Sequence, residues 1–158
     1  MDRKELRGVR GWLAFFVLAL CALGPALELV QQVGDFASAR QNMAGTALAS
    51  RWASYETVAW VVFAVTVLLR WAAGFMLLRV FRRVSVRVAV AVLFATPLLS
   101  QLGNLGAIAA AFGDSAARAA GGEVVAGLLR GLLIAAVWTA YLMRSRRVGN
   151  TYPGASGM

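Results

Sequence analysis

Five polar side chains interrupt stretches of this chain that are otherwise apolar: Glu28, Arg70, Gln101, Asn104 and Arg130. Ionisable groups at such positions are expensive in lipid, so they mark either a structural ion pair or a ligand pathway. A carboxylate and a guanidinium at one depth can neutralise each other. A guanidinium beside two amides can instead hold an anionic group. Gln101 and Asn104 are three residues apart and share a helix face, with Pro97 on the same side. The chain has no histidine, and its one cysteine, Cys21, lies inside an apolar run and reads as a small packing residue. Ser-His and Cys-His pairs, His/Cys metal sites and redox dithiols are therefore excluded. Glu28 and Glu56 are conceivable bases, but no nucleophile or paired carboxylate accompanies them. The expectation is a non-enzymatic protein without cofactor or metal.

The elements that must carry these groups are four apolar spans, at about 11–33, 58–78, 88–113 and 124–143. Each is long enough to cross a hydrocarbon core of about 30 Å, which takes about 20 helical residues. Backbone groups in lipid must pair within their own segment, so the spans are expected to be helices. The fold class is then all-α, an integral membrane four-helix bundle. The composition is 60% hydrophobic, and the mean hydropathy is +0.70. The net charge of +9 does not point to nucleic acid, because the arginines flank the spans and do not interleave with aromatics on one face. Arg3, Lys4, Arg7 and Arg10 precede the first span, Arg79, Arg82, Arg83 and Arg87 join the second to the third, and Arg144, Arg146 and Arg147 follow the fourth. The two remaining loops balance Arg40, Arg51 and Arg118 against Asp35, Glu56, Asp114 and Glu123. The positive-inside rule places both termini in the cytoplasm. The first span is too long for a signal peptide's apolar region and is read as a retained helix.

Depth follows from the helical rise. Counted from the cytoplasmic edge of each span, Gln101, Arg130, Asn104 and Glu28 fall about 20, 21, 24 and 25 Å up. They form one candidate layer in the outer leaflet. Either Glu28 and Arg130 pair while the amides satisfy the remaining hydrogen bonds, or the layer is a pocket open to the outer face with Arg130 as its binding cation. Arg70, about 12 Å up, has no carboxylate at its depth and is expected to stand isolated and snorkel to the cytoplasmic headgroups; a water-filled cavity or a partner's acid is the alternative. Thr66 and Gly74 share its face. Gly127 and Gly131 form a GxxxG pair for helix packing, within the chain or between two copies. Pro97 is expected to kink the third span and free the carbonyl of Leu93.

The domain is expected to cover 1–148, followed by a flexible tail at 149–158 rich in Gly, Pro and Ser. The outer loop 34–54 reads either as a plain loop or as a short interfacial helix with Phe36, Met43 and Ala47 on its apolar side.

The ends of the chain carry a signature. Gly11-Trp12-Leu13 opens the first span, and Tyr55-Glu56 begins the second. Trp138, Tyr141, Ser145, Arg146, Val148, Thr151 and Tyr152 form a closing "W..Y…S.RV..T-aromatic" pattern. This resembles the bacterial inner-membrane family catalogued as domain of unknown function 2569, whose members are similar in length and in four predicted spans. Arg146 stands where the family commonly has Lys, which keeps the charge. The resemblance implies a multi-pass protein of the bacterial inner (plasma) membrane and transfers no site. Two roles follow from the residues. One is an accessory protein that binds another membrane protein, or itself, through helix faces. The other is a small transporter or ligand-binding protein that uses Glu28, Gln101, Asn104 and Arg130.

Overall fold

In the computed structural model the described residues are 11–46 and 48–152, and among them every regular element is helical. Four helices are long and apolar enough to cross a membrane: α1 (Trp12–Met43), α2 (Ala49–Arg79), α3 (Arg83–Phe112) and α4 (Asp114–Arg144). A short helix, α5 (Arg146–Thr151), closes the chain. The connections are short, so successive long helices run antiparallel. Between α3 and α4 there is one residue, Gly113, at φ 88. A side chain is strained in that left-handed conformation, and glycine is not. Gly45, at φ 76, serves the α1–α2 turn. At the α2–α3 turn the hydroxyl of Ser85, fully buried, donates to Val80 O at 2.5 Å.

Three helix contacts depend on small residues. A Cβ at Gly74 would lie 2.1 Å from Cys21 Sγ, one at Gly103 would lie 2.9 Å from Val62 Cγ2, and one at Gly131 would lie 2.5 Å from Pro97 Cβ. These fix the register of α1 on α2, α2 on α3, and α3 on α4. α3 is helical straight through Pro97.

The buried core sits at one end, which carries Arg79, Arg82, Arg83 and Arg144 and is called here the basic end. Leu13, Phe16, Leu77, Val86, Ala89, Leu142, Val148 and Tyr152 pack there with almost no exposure. The outward faces are apolar along their whole length, with Val30, Leu68, Phe75 and Leu133 all largely exposed. That pattern suits contact with lipid tails.

Two expectations meet a different structure. Residues 34–43 are not loop: α1 runs on to Met43, and Phe36 is buried against Trp52, Tyr55 and Trp60. Ala47 and the N-terminal basic residues Arg3, Lys4, Arg7 and Arg10 lie outside the described residues. Nor does the expected tail fray over 149–152; the rest of it, 153–158, lies outside the described residues. Val148 and Tyr152 are fully buried, and the Tyr152 hydroxyl donates to Leu77 O at 2.5 Å. The signature residues Trp138, Val148 and Tyr152 thus fasten α5 and the end of α4 beneath α1 and α2. Burial pushes the Tyr152 phenol up to about 12. Tyr152→Phe removes the bond to Leu77 and leaves that carbonyl unpaired in the core. It is expected to lower stability by about 1–3 kcal/mol in thermal or denaturant melts of the detergent-solubilised protein.

An intramembrane cleft as candidate functional site

Toward the opposite end, which carries Asp35, Glu56, Asp114 and Glu123, the core gives way to a cavity of about 720 Å³ walled by all four long helices. Its floor is the aromatic and aliphatic layer of Phe16, Leu20, Leu93, Ala135 and Trp138, with the Phe16 and Trp138 rings 4.8 Å apart. Its upper wall includes Phe36, Trp52 and Tyr55. The wall residues from α2 and α3 are buried or half-buried. The exposed ones come from α1 and α4: Leu23, Leu27, Gln31 and Asp35 on one side, Arg130 and Ile134 on the other. The cavity is therefore a cleft whose mouth lies between α1 and α4.

Local sequence explains how α1 aims its polar face into the cleft. Ala19–Leu23 form a π-turn, in which Gly24 N–H reaches back five residues to Ala19 O. Pro25 has no N–H to offer the carbonyl of Cys21 four residues before it. Trp71 Nε1, from α2, donates to that carbonyl at 2.7 Å. Gly24 lies beside the Arg70 guanidinium, where a Cβ would make ordinary van der Waals contact with Nη1 at 3.6 Å. One turn on, Glu28 Oε1 accepts an ion pair from Arg70 Nη2 at 2.8 Å.

This pairing corrects the expected arrangement: Arg70 is not isolated, and Glu28 is bound to Arg70, not to Arg130. The depth count treated the apolar start of each span as level. The Cys21–Gly74 contact shows that α1 begins nearer the basic end than α2 finishes, so Glu28 lies opposite the turn of Thr66. That is about 5 Å along the axis from Arg70, which two long side chains bridge. The guanidinium points away from the basic end, into the cleft, and its side chain is 12% exposed.

Glu28, Arg70, Gln101, Asn104, Gly127, Arg130 and Gly131 all line the cleft. Antiparallel register through Pro97–Gly131 and Val62–Gly103 sets Arg130 level with the same turn of α2 as Glu28. The two therefore face each other across the mouth without forming an ion pair. Among the described residues no carboxylate pairs with Arg130. Gly127 accommodates Gln101, whose Nε2 would be 2.7 Å from a Cβ there, and Gly131 accommodates Pro97. The glycine pair is thus spent on α3–α4 packing. Three side-chain atoms of the wall are buried with no hydrogen-bond partner: Gln32 Nε2, Trp52 Nε1 and Asn104 Oδ1. Buried polar atoms are nearly always paired, so these three are exceptions within the cavity wall, set behind its surface.

Sequence reasoning missed Gln31, Gln32, Asp35, Trp52, Tyr55 and Ser100 as walls. The Gln31-Gln32-x-x-Asp35 spacing continues the Glu28 face at helical intervals, and was the available signal.

A family profile matches residues 6–153, nearly the whole chain. The chain belongs to the family described as protein of unknown function, DUF2569. No curated protein and no solved structure matches. The DUF2569 match spans all four long helices and the α5 lock, so every wall of the cleft falls within it.

Proposed function

We propose that this DUF2569 protein binds a ligand in the cleft between α1 and α4. The single observation behind this reading is the cavity of about 720 Å³ inside the membrane-length part of the bundle. That size lies in the range of small-molecule sites, about 300–1,000 Å³. Arg130 supplies an unneutralised charge at the mouth, while the Glu28–Arg70 pair, Gln101 and Asn104 supply hydrogen-bonding groups within. The basic end faces the cytoplasm of a bacterial inner membrane on the charge asymmetry of the loops, so the cleft lies toward the outer leaflet. The protein acts by binding, without a catalytic step. An accessory role, holding another membrane protein or a second copy, would use the exposed apolar faces; the glycine pair no longer supports it, because α3 already covers that face.

Native mass spectrometry of the protein released in mild detergent tests this reading. The wild type should retain a small-molecule adduct, and Arg130→Ala, which alters an exposed side chain, should lose it about tenfold more readily. An adduct-free wild type whose melting is also unchanged on addition of membrane extract would overturn it.

A further inference from the structure

We infer that the ligand is an anionic amphiphile, an acidic membrane lipid, which enters sideways from the bilayer with its headgroup at Arg130 and its chains lying between α1 and α4. The inference rests on the binding reading above and names the ligand class. Three features of the mouth carry it. First, its rims are apolar and exposed at membrane depth: Leu27 is 66% and Ile134 52% exposed, and Leu23 lies on the same rim as Leu27. A soluble polar ligand gains nothing from such rims, whereas an acyl chain continues into them from the surrounding lipid. Second, the charge at the mouth is uneven. Glu28 is neutralised by Arg70 at 2.8 Å, and Arg130 has no carboxylate partner among the described residues. An exposed guanidinium level with a neutralised pair favours an anion, and its planar fork suits a phosphate. Third, the Gln101 carboxamide lies against Gly127, about one turn from Arg130, and lines the interior behind the mouth. It can receive the polar part of a headgroup that reaches past Arg130.

The test uses the full chain in detergent micelles, titrated with phosphatidylglycerol, phosphatidylcholine or free glycerol phosphate and read by native mass spectrometry. The wild type should retain phosphatidylglycerol about tenfold better than phosphatidylcholine, the effect of one charge-assisted contact. Arg130→Ala should erase that preference, and Arg130→Lys should keep most of it. Leu27→Trp combined with Ile134→Trp, which narrows the mouth, should weaken both lipids without changing their ratio. Arg79→Ala with Arg83→Ala, at the basic end, should change nothing. If the preference instead follows Arg79 and Arg83, the lipid is held by the outside of the bundle and the inference fails. If glycerol phosphate binds as well as the lipid and Arg130→Ala abolishes it, a soluble anion is the ligand: lateral entry fails while the cleft-binding reading survives. If no probe binds and the tryptophan pair has no effect, both fall.

Discussion

Replacing Glu28 by alanine should destabilise the bundle more than alanine at any other polar position of the cleft. Its carboxylate neutralises an Arg70 side chain that is 12% exposed, and Glu28 itself is 43% exposed. Removing the acid leaves a buried guanidinium with no counter-charge. Removing one partner of a fully buried pair costs about 3–5 kcal/mol. Because Glu28 is partly open to the cleft, screening reduces this to about 2–3 kcal/mol. Arg70→Leu should cost less, since the remaining Glu28 side chain is 43% exposed at the open mouth, whereas the Arg70 side chain is 12% exposed. The double variant Glu28→Ala/Arg70→Leu should recover most of the loss. Thermal melts of the four proteins in one detergent give the comparison. If Glu28→Ala alone melts like the wild type, the pair carries no weight in the fold.

The second large effect is expected at Gly131, and its contrast with Gly127 is as informative as its size. A Cβ at Gly131 would lie 2.5 Å from Pro97 Cβ and 3.8 Å from Pro97 Cα, a rigid ring and the backbone behind it. A Cβ at Gly127 would meet only the Gln101 carboxamide, at 2.7 Å, the end of a flexible side chain. Gly131→Ala should therefore push α3 and α4 apart at a cost of about 1–3 kcal/mol, and Gly131→Leu should prevent the native packing. Gly127→Ala should cost less than about 1 kcal/mol, because Gln101 can swing into the cavity. Melting temperature and monomer yield on size exclusion check both. Equal losses at the two positions, or a change in oligomer size with unaltered melting, would mean that the pair works between chains.

These two predictions show what was legible in the residues. The four helices were, since an uninterrupted apolar run in lipid has no other way to pair its backbone. The polar set Glu28, Gln101, Asn104 and Arg130 could be marked as candidates, because the helical rise converts residue number into depth, and all four line the cleft. Its pairing was not legible. Depth from each span's own edge carries no information on how far one helix slides along its neighbour, and that offset is set by contacts such as Cys21 against Gly74. The slide of α1 along α2 brought Arg70 within reach of Glu28, which still lies level with Arg130. The α5 lock was hidden for a related reason: Gly149, Asn150 and Thr151 are poor helix formers, and burial of Val148 and Tyr152, with the Tyr152 bond to Leu77, holds the segment in place. The mouth between α1 and α4 was also out of reach, because apolar residues facing lipid and apolar residues facing a cavity read alike in sequence.

The account depends most on the cleft being open inside the membrane-length bundle. Thiol accessibility in sealed vesicles, on a Cys21→Ala background, measures this directly. Ser100→Cys lines the cleft, Ala89→Cys lies in the closed core at 0% exposure, and Ser50→Cys is exposed at the start of α2. With a water-soluble maleimide, Ser100→Cys should label far faster than Ala89→Cys and approach Ser50→Cys. Protection of Ser100→Cys equal to that of Ala89→Cys, while Ser50→Cys labels freely, would show a shut bundle and contradict the account.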